Sequence, residues 1–371
     1  MLKIALTGGP CAGKTSIKDF LTKLLEERGY KIIFVDEAAS TLILSGIVPG
    51  KHISMHEFQN FVLDEQLAKE ELYARVANYY NNDKLIFFYD RGICDQMAYI
   101  GRFEFEEMLK KRGLTLSDAM SRYDAVLHLV TTADGAEEYY QWNDPSKEST
   151  GNNAARSESP EEAREKDKKT LNAWIGHPHL RVFDNSTDFK GKIDKVVTEV
   201  FSLLGEPLPK EIERKYLIEL PTAEELASLG CVSETNIIQT YLNSENDVER
   251  RVRQRGTKDD GYSFYYTEKI PISYGERIEK EKRISQKEYI NYLAEADTSL
   301  HQIFKTRYCF VYDKRYFELD VYPFSDKYAI LEIELNDINE KIDLPNLKIV
   351  KEVTDDQKYK NYSLAKTLTL E

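Results

Sequence analysis

The chain is expected to fold as an α/β domain with a parallel sheet, followed by an antiparallel β tunnel-barrel domain. Three observations predict this. Gly8-Gly-Pro-Cys-Ala-Gly13-Lys14-Thr15 follows a short apolar run and precedes an amphipathic one. Up to Leu204 such runs alternate, which argues for strands and helices in alternation and hence a parallel sheet. Beyond Pro209, seven segments rich in Tyr, Phe, Ile and Val carry charges two residues apart. Side chains at that spacing share one face of a strand.

In the first part, Leu2–Thr7, Lys31–Val35, Leu85–Tyr89, Ala125–Val130 and Leu180–Phe183 read as strands. Thr15–Glu27, His56–Tyr79 and Lys190–Leu204 read as helices. Residues 133–170 interrupt the alternation, with Asp-Gly, Asn-Asp-Pro and Gly-Asn-Asn followed by a charged run ending near Lys169. That stretch reads as a loop, or as a mobile lid over a nucleotide site. Arg156 and Arg164 within it are candidates for closing on a phosphate, although solvated charges are the plainer reading. The break Leu204-Gly-Glu-Pro-Leu-Pro209 marks a boundary between domains of residues 1–205 and 210–371. After it come mostly strands, with one helix near Gln286–Glu295.

The loop Gly8–Thr15 matches the phosphate-binding pattern G-x-x-x-x-G-K-[ST] in full and in the right context. Gly8, Gly9 and Gly13 let the backbone turn its N–H groups around phosphates. The helix start at Thr15 and Ser16 adds positive potential, Lys14 reaches the β and γ phosphates, and the Thr15 hydroxyl would ligate Mg²⁺. Two acidic sites end later strand runs: Asp36-Glu37, and Asp90-Arg91. Ligands of parallel sheets gather at the carboxyl ends of strands. Asp90 is thus a candidate for holding the metal and Arg91 for a phosphate, with Asp36 or Glu37 as a base. A helix N-cap explains an acid at Asp36 or Glu37 equally well. Asn185 is a candidate contact to the base, although it could as well belong to a turn. Sequence leaves GTP and ATP both open, since no N-K-x-D motif is found.

In the second part the charged sets are Glu211/Glu213/Lys215, Arg251/Arg253, Thr267/Lys269, Glu279/Glu281/Arg283, Lys305/Arg307, Glu318/Asp320 and Glu332/Glu334. A solvated sheet face is the plain reading. Closed into a barrel, the same faces would line a lumen suited to a polyanion and its metal ions. Lys215, Arg251, Arg253, Lys269, Lys305 and Arg307 would then bind the ligand. Glu211, Glu213, Glu332 and Glu334 would hold Mg²⁺, with Mn²⁺ as a substitute.

Composition narrows the partners. A formal net charge of −13 over 371 residues argues against a general attraction to nucleic acid. The four cysteines, Cys11, Cys94, Cys231 and Cys309, are scattered and form neither a metal-ligand spacing nor a disulfide framework. No apolar run has the length of a membrane span. A soluble cytoplasmic protein is expected, with at most peripheral contact with membranes.

These residues resemble known families. The first half looks like the small-molecule kinase branch of P-loop proteins, in which an acid after the second strand and a D-R or E-R pair after the third serve catalysis and phosphate binding. The second half resembles the CYTH domain of triphosphate tunnel enzymes, whose signature E-x-E-x-K is matched by Glu211, Glu213 and Lys215. Glu352-Val-Thr and Tyr359-Lys-Asn361 look like that family's closing segment. The combination resembles the TRPL translocation defect protein family, whose P-loop part is grouped with the kinase part of the bacterial NadR regulator. Asn153-Ala-Ala-Arg156, Trp174, His177-Pro178 and Asp184–Thr187 look like its pattern. That resemblance implies nucleotide binding, GTP in particular, phosphoinositide binding and a role in vesicle traffic. The competing expectation is a kinase of a small metabolite or nucleoside fused to a tripolyphosphatase.

Overall fold

The structure, a computed structural model, describes the chain except for residues 51, 81–83, 141–157, 206–211, 245–247, 274–275 and 336–339. Arg156 and Glu211, both named above, lie outside the described residues. The chain divides into two compact units, Met1–Val197 and Thr198–Glu371.

The first unit runs β1 (Leu2–Gly8), α1 (Lys14–Glu27), β2 (Lys31–Val35), α2 (Ala38–Leu44), α3 (Met55–Ala77) and β3 (Leu85–Asp90). It continues with α4 (Met97–Ile100), α5 (Arg102–Lys110), α6 (Leu116–Met120), β4 (Ala125–Leu129), α7 (Pro160–Asn172), β5 (Leu180–Phe183) and α8 (Phe189–Leu204). The strands form a five-stranded parallel sheet in the order β2-β3-β1-β4-β5. Helices on both faces bury such a sheet, so its central strands read as continuous apolar runs. Leu85–Tyr89 is buried at every position, as are Ile4, Ala5 and Leu6. This α/β fold is the one expected, and the division between units falls inside α8, before the Gly-Pro break.

Part of the segment read as a loop is a helix. Ser159 caps α7 by accepting the N–H of Glu162, while the Glu162 carboxylate accepts the N–H of Ser159, and Pro160 occupies the first turn. Its buried positions are Ala163, Asp167, Thr170 and Leu171. The spacing is helical, but two of the four are polar, which hides the apolar stripe from a hydropathy reading.

The second unit runs β6 (Ile212–Glu219), α9 (Ala223–Ser228), β7 (Val232–Leu242), β8 (Glu249–Thr257), β9 (Gly261–Ser273) and β10 (Glu276–Ile284). Then follow α10 (Gln286–Leu293), β11 (Ile303–Tyr312), β12 (Arg315–Val321), β13 (Tyr328–Leu335), β14 (Ile349–Glu352) and α11 (Asn361–Thr367). The strands form a nine-stranded sheet in the order β10-β9-β8-β7-β11-β12-β13-β6-β14, every pairing antiparallel. Parallel sheet followed by antiparallel sheet is the order of sheets expected. One sheet face packs an apolar layer that includes Phe310, Phe317, Leu319, Leu331 and Ile333. The opposite face carries the charges. At one end that face is covered by a second apolar cluster, in which Leu217, Tyr241, Ile303 and Ile330 meet Tyr359, Leu364 and Ala365.

Candidate functional site

The phosphate-binding loop turns between β1 and α1. Gly8 has φ +141°, and a β-carbon there would meet the Leu129 carbonyl oxygen at 2.1 Å, so only glycine fits. Gly13, with φ +91°, precedes the first residue of α1. The loop is braced from behind. Asp167 of α7 accepts the Gly9 N–H at 2.6 Å and the Thr131 N–H at 3.2 Å, and lies 3.3 Å from His128 Nε2. Burial would raise the Asp167 carboxyl, but His128 and the two N–H donors hold it below its ordinary value. Asp95 is buried and accepts from Thr7, from the Gly92 N–H and from the Trp174 indole. Neither acid follows from the sequence argument, because Asp167 is recognised by Gly9, His128 and Thr131 and Asp95 by Thr7 and Trp174, all far along the chain.

Four of the expected residues converge beside the loop. Lys14 Nζ lies 3.9 Å from Asp90 Oδ1, and Arg91 Nε donates to Glu37 Oε1 at 2.7 Å. Burial, then Arg91, push the Lys14 ammonium below its ordinary value, against the pull of Asp90 and Glu37. Burial also pushes the Asp90 carboxyl up, with Lys14 pulling the other way. Burial would raise Glu37 too, yet Arg91 and Ser40 hold it lower. Arg91 has φ +69°, a costly conformation for a long side chain that points to a site imposing it. Among the described residues, Asp90 Oδ1 and Arg91 Nη1 are buried without hydrogen-bond partners. Buried groups left in that state are rare and signal an absent ligand or ion. A carboxylate oxygen of this kind, with Thr15 at the start of α1, fits Mg²⁺. Asp36 does not join the group: it is exposed and pairs with Lys18 of α1 at 3.4 Å. Glu37 occupies the N-cap position of α2 but makes no side-chain cap.

In the second unit, register decides which side chains share a face. Directly opposed residues of antiparallel strands point the same way. Thus Glu279 stands opposite Lys269, Lys269 opposite Glu249, Thr267 opposite Arg251, and Arg251 opposite Tyr241. Lys305 and Arg255 both stand opposite Ile237, Arg307 opposite Asp320, Glu318 opposite Glu332, and Glu332 opposite Lys215. Every set of charges expected on the tunnel face is therefore on one face, apart from Glu211. Glu249 and Arg255, outside the sets named above, join it; each is two residues from an arginine of those sets. The intervening β7 contributes no charge to the middle of this face, only Thr235, Ile237, Gln239 and Tyr241.

The face is internally paired. Lys305 and Arg307 both grip Asp320, which is fully buried; Arg307 also meets Glu318, and Glu332 at 3.0 Å. Lys215 lies 2.8 Å from Glu332 and 3.1 Å from Glu213. On the far side of β7, Arg251 and Lys269 share Glu279, and Arg253 meets Glu281. Burial would lower the Arg307 guanidinium, but Asp320 and Glu318 hold it well above the usual range. Burial would likewise raise Glu332, which Lys215 and Arg307 hold far below it. Arg251 Nε is buried without a hydrogen-bond partner among the described residues. The expected metal carboxylates are less gathered. Glu332 is held by lysine and arginine, and Glu334, exposed, stands opposite Glu213. Among the described residues no group of three or more His, Cys, Asp or Glu is placed to hold a metal ion.

Burial, with Arg307, brings the Lys305 ammonium down from 10.5 to about 8. Between those values the unfolded chain carries a proton that the folded one has shed. The cost of burying the ammonium is therefore full below about 8 and is relieved as pH rises through the window. Anion affinity should move oppositely. Inorganic tripolyphosphate is expected to bind the wild type more weakly as pH rises through about 8, measured by calorimetry from pH 6.5 to 9.5. Lys305→Arg should flatten that step, because a guanidinium stays charged throughout.

The comparisons with known proteins agree with this geometry in the first unit. The family model described as an AAA domain matches residues 3–192, more than half of the chain. The chain belongs to this family, and its first unit is a P-loop domain. Among solved structures, the hypothetical protein NE1496 is 29% identical, covering 43% of this chain and 99% of that one, with a TM-score of 0.31. A crystal structure of the inorganic triphosphatase NE1496 is 27% identical over 43% of this chain and 95% of that one, TM-score 0.31. The PH1819 protein from Pyrococcus horikoshii OT3 is 18% identical over 33% and 78%, TM-score 0.27. No curated protein matches the chain. Among the described residues no helix is long and apolar enough to cross a membrane.

Proposed function

We propose that the first unit binds a nucleoside triphosphate, GTP or ATP, with Mg²⁺ and hydrolyses it, while the second holds a phosphorylated ligand on its charged face. The observation that carries the first part is the pair of orphaned polar atoms, Asp90 Oδ1 and Arg91 Nη1, beside Lys14. Phosphoryl transfer asks a protein mainly for positioning and charge stabilisation. The Gly8–Thr15 loop would cradle the phosphates, Lys14 would neutralise the β and γ oxygens, and Arg91, aimed by Glu37, would meet the charge developing on the transferred group. Mg²⁺, or Mn²⁺ in its place, would be held by Thr15 and Asp90 and would neutralise the same oxygens.

A kinase needs a base for its acceptor. Glu37 is bound by Arg91 and Ser40 and held low, so it suits orienting Arg91 better than taking a proton. Hydrolysis is therefore preferred to the kinase reading. The resemblance offers two ligands for the charged face: a linear triphosphate, or a phosphoinositide headgroup with peripheral membrane contact and a part in membrane traffic. The cations suit both. The metal set proposed there is Glu211, Glu213, Glu332 and Glu334, of which Glu213 and Glu332 would engage only by giving up Lys215 and Arg307.

With the full chain, Arg91→Ala is expected to lower MgATP and MgGTP turnover about 100-fold, in the range for losing a charge-stabilising arginine. Tripolyphosphate binding in the second unit should persist. Unchanged turnover in Arg91→Ala, or no nucleotide binding by the wild type, would sink the proposal for the first unit. Sedimentation with vesicles containing phosphoinositide, set against free tripolyphosphate, separates the two ligands of the second.

A further inference from the structure

We infer that the nucleobase of the bound triphosphate stacks on the ring of Phe189, a residue with no assigned role, and that Asn185 builds this subsite without touching the base. The inference rests on the nucleotide-binding reading of the first unit. It starts from the direction in which a nucleotide must lie. The groups suited to its terminal phosphate, Asp90, Arg91 and Glu37, all follow β3 or β2, on one side of β1 in the sheet. Lys14 reaches toward that side, to Asp90. The other end of the nucleotide then leaves across the remaining side, over the loops that follow β4 and β5.

Those loops are knitted together. Asn185 Nδ2 donates to the carbonyls of Thr131 and Asp134, both at 2.8 Å. Asn185 Oδ1 accepts from Lys192 Nζ at 2.8 Å, so both ends of its amide are already engaged within the protein. Lys192 is a lysine with 1% of its surface exposed, and its ammonium also reaches the Val130 carbonyl at 2.7 Å and Ala12 of the phosphate-binding loop at 3.4 Å. The Thr132 hydroxyl donates to the Cys11 carbonyl at 3.1 Å. A buried ammonium thus ties the phosphate-binding loop to both of the others and fixes the wall beside it.

Beside the last glycine of the loop stands a large apolar side chain that is not buried. Phe189 is 47% exposed, yet its ring edge would lie 2.9 Å from a β-carbon on Gly13. The ring lies at the last glycine of the phosphate-binding loop, its backbone is in the first turn of α8, and about half of it is open to solvent. Stacking on such a ring suits a purine, since every base has a π-face. It also explains why Gly13 tolerates no side chain beyond the demand of its φ of +91°.

The test is fluorescence anisotropy on the full chain with whichever of mant-ATP and mant-GTP binds more tightly, together with displacement by pyrophosphate. Phe189→Ala should weaken the nucleotide about tenfold, within the range for losing one base–aromatic stack, and leave the pyrophosphate constant within about twofold. Phe189→Trp should bind at least as tightly as the wild type. Wild-type affinity in Phe189→Ala overturns the inference. So does an equal weakening of pyrophosphate, which would assign Phe189 to propping Gly13. Lys14→Met is the control: if it leaves mant-nucleotide binding intact, the nucleotide reading itself fails, whatever Phe189 does.

Discussion

Arg307→Ala is expected to remove about 3–5 kcal/mol from the stability of the second unit, the usual cost of breaking a buried ion pair from one side. The guanidinium meets Asp320 through Nε at 2.6 Å and Nη2 at 2.7 Å, reaches Glu332 at 3.0 Å and also contacts Glu318. Without it, a fully buried Asp320 keeps, among the described residues, Lys305 alone, an ammonium already weakened by burial. A domain of this size has roughly 5–15 kcal/mol in total, so the loss is a large share. The chain allows the two units to be followed separately. Its two tryptophans, Trp142 and Trp174, both precede Thr198, whereas the nine-stranded sheet belongs to the second unit. In a urea titration, tryptophan emission should report the first unit alone and far-ultraviolet dichroism both units, so a dichroism component that does not follow the emission belongs to the second. Arg307→Ala should move the dichroism transition to lower urea and leave the emission transition in place. Arg307→Lys should recover part of the shift, keeping the charge but not the two-pronged grip on Asp320. Coincident shifts of both transitions would mean that the ion network does not stabilise the second unit on its own.

The charged face was legible because strand geometry converts spacing into direction. Two-residue spacing places Arg251 with Arg253, and Lys305 with Arg307, on one side whatever the rest of the fold does. Which strands lie beside which is not encoded that way, so the separation of the cations by the uncharged face of β7 had to come from the structure. The loop Gly8–Thr15 was legible for a different reason, since its chemistry demands glycine and lysine at fixed positions. What escaped is tertiary. Asp167 lies on a helix whose buried stripe is half polar, within a segment whose Gly and Asn residues read as loop. The one available signal there was Ser159-Pro160-Glu161-Glu162, a helix start by capping chemistry. Asn185, for which the sequence left a base contact and a turn both open, has its amide engaged by Thr131, Asp134 and Lys192, partners that only the fold brings together.

Lys14→Met should separate function from stability in the first unit. A lysine that loses charge-assisted hydrogen bonds to phosphate, each worth ~1.5–3 kcal/mol, takes at least about 100-fold from nucleotide affinity. Wild-type protein with nucleotide at 100 times its Kd gains about 2.7 kcal/mol, visible as a raised melting temperature of the tryptophan-reported unit. The variant at the same concentration should show almost none of that rise. Without nucleotide the comparison should reverse. Burial and the nearby Arg91 both disfavour the Lys14 ammonium, and the residue faces Asp90 only across 3.9 Å. Replacing it by an apolar chain of similar length removes that penalty, and Asp90, whose carboxyl is already pushed up by burial, can hold a proton instead. The ligand-free variant is therefore expected to melt at or above the wild-type temperature. A variant that melts several degrees lower without nucleotide would make Lys14 a structural cation, and the cluster around it a stabilising network in place of a phosphate site.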